Sequence, residues 1–216
     1  MDTRAHSAQI VILNGAPRSG KSSIAKAMQA SASEPWINLG VDAYYEMTPE
    51  RLRPGIGLRP GGERPDIEDV LPYLYAALYE SVAAHAGLGL NVVVDIGHHD
   101  HYSQPLGILR DSLRRLEGFP VLLIGVRCPL DEVMQRRAIP QPGREELYHV
   151  GGDASTIPEP VRLWQEAVHI PGVYDLEVDT SRLTPDECAA LIAERLQRGI
   201  PSPSAAERIA ASKSSL

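Results

Sequence analysis

Residues 15 to 22 read GAPRSGKS, a glycine-rich run closed by a lysine and a serine. Glycine lets a backbone curl until successive N–H groups face one point, and such a nest at the start of a helix binds phosphate. The run marks Gly15, Ala16, Pro17, Arg18, Ser19, Gly20, Lys21 and Ser22, with Ser23 after it, as a cradle for the phosphates of a nucleoside triphosphate. Lys21 brings positive charge to the β- and γ-phosphates, and the Ser22 hydroxyl is of the type that holds Mg²⁺.

Two aspartates and a set of arginines suit the same chemistry. Asp95 closes the run VVVD, where a carboxylate can orient the Mg²⁺ shell; its plainer reading is a helix cap or a solvated strand end. Asp42, after LGV, suits a base that takes the proton of an acceptor hydroxyl as the phosphoryl group arrives, or a cap on a following helix. Arg136, Arg137 and Arg144 flank the Pro/Gly-rich stretch 138–156. They suit a mobile lid that meets transferred charge, or solvated helix-end charge. Arg127, at a strand's carboxyl end, touches the nucleotide or pairs with a neighbouring Asp. The run His98-His99-Asp100-His101 invites a metal, yet adjacent positions rarely converge on one ion, which favours a pocket wall or a surface loop. His169 reads as a substrate contact or an exposed side chain.

These residues need elements to position them. Ile10–Leu13, Asn91–Ile96 and Pro120–Val126 are apolar, β-branched runs that read as buried strands. Trp36–Val41 and Tyr174–Val178 read as two more. Between them, helical spacing runs over Gly20–Ala32, Asp66–Ala86, Pro105–Leu116, Leu130–Arg137, Pro158–Val168 and Pro185–Gln197. Strands alternating with helices predict an α/β fold: a parallel sheet covered on both faces, with its chemistry at the carboxyl ends of the strands. The expected organisation is one domain over residues 1–200, with an acceptor-side loop near 48–66, a lid near 138–156 and a flexible tail over 201–216.

The chain has 216 residues, 43% of them hydrophobic and 23% charged, with a net charge of -7. That balance argues against a broad phosphate-backbone surface and so against a nucleic-acid partner. Its basic residues are 18 arginines and only 3 lysines (Lys21, Lys26 and Lys213). Cys128 and Cys188 are too few for a disulfide framework or zinc site, which fits a reduced cytoplasm. No apolar stretch has the length of a signal peptide or a membrane span.

The segments IVILNGAPRSGKSSI, EPWINLGVDA, VVVD, LIGVRC and VHIPGVYDLEVDT resemble the chloramphenicol 3-O-phosphotransferase family of P-loop kinases over most of residues 9–196. The resemblance implies a three-layer fold with a five-stranded parallel sheet and a small mobile lid, similar to nucleotide and shikimate kinases. It implies ATP and Mg²⁺ as cofactors, Asp42 as catalytic base, Gly15–Ser22 as the phosphate site, and Arg136 and Arg144 near the lid arginines. The expected acceptor is a hydroxyl of a small molecule, an antibiotic among the candidates. Departures from the family fall on the acceptor side: Ile96 in place of an acid, the HHDH run, and Arg51, Arg53, Arg59 and Arg64 in the loop before the long helix. Those arginines motivate an alternative, a kinase for an anionic metabolite or nucleotide. A third reading is a nucleotide-binding switch or toxin-like protein with little transfer.

Overall fold

The computed structural model describes residues 8–53, 64–139 and 157–212. Five strands form one parallel sheet: β1 (Ile10–Asn14), β2 (Trp36–Asn38), β3 (Asn91–Ile96), β4 (Val121–Arg127) and β5 (Leu176–Asp179), in the order β2-β3-β1-β4-β5. Every residue of β1 and β3 is buried, as a sheet covered on both faces requires. Alternate residues of β1 serve opposite cores. Ile10 and Ile12 pack with Leu78, Tyr79 and Val82 of α3 (Leu71–Gly87), Leu113 of α4 (Ile108–Arg114) and Ile209 of α8 (Ala205–Ala211). Val11 and Leu13 pack with Ile24 and Met28 of α1 (Lys21–Ser31) and Cys188 and Ile192 of α7 (Pro185–Gln197). The three-layer α/β architecture is the one the alternating pattern predicts.

Local chemistry moves several boundaries. β2 stops at Asn38, and Asp42 lies in the first turn of α2 (Val41–Met47) rather than on a strand end. The long helix expected from Asp66 begins as a 3₁₀ segment, Pro65–Val70, and turns α-helical only at Leu71. Pro72, which has no N–H to donate, is tolerated in that first turn. The helix expected from Pro105 starts at Ile108, because Asp100 accepts the N–H groups of Leu106 and Gly107 and holds that stretch as a turn.

Within the tail expected to be flexible, Ala205–Ala211 form a helix. α8 opens on a capping box in which Ser204 and Glu207 satisfy each other's backbone N–H groups. Ala205, Ala206 and Ile209 are buried beside α4 and β4, and Asp175 accepts the Ala205 N–H at 2.7 Å. Small side chains, read as loop composition, here allow close packing. The remaining helices are α5 (Leu130–Ala138) and α6 (Glu159–Ala167). Among the described residues no helix is long and apolar enough to cross a membrane.

Candidate functional site

β1 runs into the GAPRSGKS loop, and the loop opens α1. Gly20 takes φ +94°, a left-handed conformation natural to glycine, and turns the chain into the helix. Arg18 is the one described non-glycine residue with positive φ. The loop lies at the carboxyl end of the central strand and borders a cleft of about 800 Å³. Arg18, Gly20, Lys21, Ser22 and Ser23 line that cleft; Gly15, Ala16 and Ser19 are buried beneath it. Pro17 is half-buried.

Lys21 is buried, its ammonium donating to the Ala16 carbonyl at 2.9 Å and standing 3.7 Å from Asp95 Oδ1. Burial pushes its pKa down, against the pull of Asp95 and then Asp42. The Ser22 hydroxyl donates to Asp95 Oδ2. A serine hydroxyl and a carboxylate meeting beside an anion cradle are hard oxygen donors of the kind that Mg²⁺ takes, with water and phosphate oxygens completing its shell. The residues therefore fit a Mg²⁺–nucleotide complex.

Asp42 lines the same cleft, with Asn38 and Gly40. Gly40 makes that approach possible: a Cβ there would lie 2.9 Å from the Asp95 carbonyl oxygen. The Lys21, Ser22, Asp95 and Asp42 singled out in the sequence thus share one cavity.

The arginines divide. Arg136 lines the cleft, but its guanidinium is held by the Thr180 carbonyl at 2.7 Å, the Thr180 hydroxyl at 3.0 Å and the Glu132 carboxylate at 3.1 Å. Thr180 in turn donates to the Ser19 carbonyl at 2.8 Å, so Arg136 braces the underside of the loop. Arg127, expected at the nucleotide, is absent from the cleft lining; it pairs with Glu177 at 2.5 Å and lies over the Tyr174 ring. A half-exposed guanidinium beside a half-exposed carboxylate prefers that pair to reaching across the sheet end. Arg137 is buried. Arg144, Arg59 and residues 140–156 of the expected lid lie outside the described residues.

In the loop expected to face the acceptor, Arg53 donates to the Thr48 carbonyl at 2.9 Å and stacks on Tyr45, while Arg64 pairs with Asp66 at 2.9 Å and donates to the Arg51 carbonyl. Among the described residues no group of three or more His, Cys, Asp or Glu is placed to hold an ion. His98 is buried against Tyr79, His99 packs on Tyr102 and Trp164, and Asp100 caps the turn before α4. His169 is buried and bonded to Tyr174.

The sequence reading passed over Asn14. Its buried side chain accepts the His98 N–H at 2.8 Å and donates to the Val168 carbonyl at 2.8 Å and the Tyr174 hydroxyl at 3.0 Å. It ties the loop after β3 and the end of α6 to the strand that carries the phosphate loop. An asparagine in an otherwise apolar strand, one residue before the glycine, was the available signal.

Comparison with known proteins shows the family and the fold. The family model described as chloramphenicol phosphotransferase-like protein matches residues 8–197. A Mycobacterium tuberculosis protein named "Putative O-phosphotransferase" is 26% identical over 215 residues, covering 93% of this chain and 87% of that one. Shikimate kinase from Acinetobacter baumannii, solved with shikimate, superposes with a TM-score of 0.57 at 10% identity, over 90% of this chain and 95% of that one. The tunicamycin resistance protein of Deinococcus radiodurans gives 0.54 at 14% identity, over 88% and 95%. The two structures share the fold.

Proposed function

Since the chain belongs to the chloramphenicol phosphotransferase-like family and is a phosphotransferase, we propose that it moves the γ-phosphate of ATP onto a hydroxyl of a small molecule, with Asp42 as the base. One observation carries this reading: Lys21, Ser22, Asp95 and Asp42 converge on a single cleft at the carboxyl ends of the strands. Transfer in such a site is positioning plus neutralisation of charge. The N–H groups of the loop and the start of α1 hold the phosphate oxygens. Lys21 balances charge on the β- and γ-phosphates. Ser22 and Asp95 would hold Mg²⁺, which would supply positive charge against the phosphates. Asp42 accepts the proton of the acceptor hydroxyl as its oxygen attacks phosphorus, and ADP leaves with the electrons of the broken P–O bond.

Arg136, fixed on Thr180, acts in this scheme by holding the phosphate loop against the β5–α7 connection, and its edge in the cleft faces the nucleotide. The acceptor class supported by the family description is a neutral hydroxylated compound, with antibiotic inactivation as the biological outcome. The test is mass spectrometry of chloramphenicol incubated with protein, ATP and Mg²⁺, beside a Lys21→Ala control. The expected result is the gain of one phosphate, lost in the control. Nucleotide binding with no transfer to chloramphenicol or to other hydroxylated compounds would sink the proposal.

A further inference from the structure

Arg18 occupies a backbone position that suits glycine. Its φ is +70°, and two residues later the same loop turns on Gly20 at φ +94°. In the left-handed region a Cβ crowds the following carbonyl, so a side chain there costs free energy that glycine does not. The phosphate loop thus carries a strained arginine where the strain-free residue would have no side chain. Strain of this kind gathers at active sites and ligand clamps.

The side chain lies along the cleft. Half-buried Arg18 lines it together with Lys21, Ser22 and Asp95. Its Nη2 donates to the Ile139 carbonyl at 2.7 Å, and Ile139, which follows α5, lines the cleft as well. The guanidinium therefore bridges two parts of the cleft wall, the phosphate loop and the end of α5. The loop holds this direction: Thr180 Oγ1 donates to the carbonyl of Ser19, the next residue, at 2.8 Å, and the Ser19 N–H donates to the Ala16 carbonyl at 3.1 Å. The cleft calls for such a charge. Lys21 stands 3.7 Å from Asp95, and Asp42 lines the same cavity, so the lysine alone does not outweigh the carboxylates around it. A triphosphate is multiply negative. Arg136, the other arginine of the lining, is held on Thr180 and Glu132. A guanidinium has five N–H donors in a planar fork, enough to keep a carbonyl and take phosphate oxygens at once.

We propose that the Arg18 side chain is a phosphate-positioning residue: it binds oxygens of the β- and γ-phosphates of a nucleoside triphosphate and ties them to the end of α5 through Ile139. The proposal rests on the nucleotide site of the phosphotransferase reading above. It adds a second cation to Lys21 and the N–H groups of the loop, and it makes the end of α5 respond to the nucleotide.

Arg18→Gly and Arg18→Lys test it. Glycine removes the side chain and its strain together; lysine keeps a charge without the fork. Binding of a non-hydrolysable ATP analogue and of ADP, each with Mg²⁺, is measured by calorimetry beside nucleotide-free melting temperatures. Expected for Arg18→Gly are a melting temperature at or above the wild-type value, binding of the triphosphate analogue about tenfold or more weaker, the worth of a hydrogen bond between charged groups, and a smaller loss for ADP. Arg18→Lys should recover part of the affinity. Amide exchange at Arg137, Ala138 and Ile139 should slow when the analogue binds the wild type and not when it binds Arg18→Gly. Unchanged affinity for the analogue, a loss for ADP as large as that for the analogue, or exchange that slows alike in both proteins overturns the proposal. So does a lowered nucleotide-free melting temperature in Arg18→Gly, which would make the arginine a structural tie. Triphosphate binding that depends on Arg18, with no transfer to any hydroxyl compound, would instead remove the phosphotransferase reading and leave the positioning role standing.

Discussion

Gly40 and Asp95 meet backbone to side chain across the cleft: a Cβ on Gly40 would sit 2.9 Å from the Asp95 carbonyl oxygen and 3.0 Å from its Cβ. Only hydrogen fits between the segment that presents Asp42 and the strand end that presents Asp95. Gly40→Ala should therefore part the two carboxylates by a few tenths of an ångström. We expect kcat to fall about ten- to a hundredfold, the sensitivity of a positioned reaction to small displacements, with the KM for ATP held. Steady-state kinetics decides; an unchanged kcat would show that the spacing is not used.

Asp42→Asn keeps the shape of the side chain and removes the proposed base. Transfer should drop about 10²- to 10⁴-fold, the usual contribution of a general base, while ATP binding measured by calorimetry stays near wild type. Retained turnover would return Asp42 to a first-turn residue of α2 and nothing more.

Arg136→Ala removes the brace between Thr180 and the phosphate loop. ATP binding should weaken and the melting temperature should fall, because Thr180 and Glu132 lose their shared partner. Arg136→Lys, with one point charge in place of a planar fork, should restore little of either. Full rescue by lysine would mean that charge alone was at work.

Acid should destabilise this fold through its buried histidines. His98 and His169 take up a proton near pH 6.5 when unfolded but only near 3 and 4 when folded. Between about pH 6.5 and 4 the unfolded chain binds more protons, so stability falls as pH falls, by up to about 1.4 kcal/mol per pH unit for each ring. Urea unfolding from pH 7 to 5 measures the slope. His98→Gln should flatten it by its share; an identical slope would place the titration elsewhere.

The C-terminal helix is part of the structure and should behave so. Ser204→Ala removes the helix cap and should cost about 1 kcal/mol, and Ile209→Ala should cost about 2–4 kcal/mol as a buried truncation. Thermal melts check both.

The strand–loop–helix around Lys21 was legible because its glycines, lysine and serine each have a physical job, and the β-branched runs of β1, β3 and β4 have no other stable fate. Three features were not. The Ser204–Glu207 capping box stood in the sequence, but alanine-rich composition hid a helix whose stability comes from tertiary packing. Arg127 resembled a ligand contact until Glu177 on the neighbouring strand supplied a nearer partner. The two buried histidines depend on tyrosines 19 residues before one and 5 after the other, pairings that no local pattern announces.

The sheet order has a further consequence. β1 is paired on both sides and wholly enclosed, whereas β2 has a neighbour on one side only and three residues in the ladder. Amide exchange should be slowest under the phosphate loop and fastest along Trp36–Asn38. On the proposed function, the nucleotide end of the cleft is anchored in the least yielding part of the molecule, and the acceptor end, which carries Asp42, hangs from its most easily opened edge. Sequence drift can reshape what the enzyme accepts there while the machinery that delivers phosphate keeps its footing.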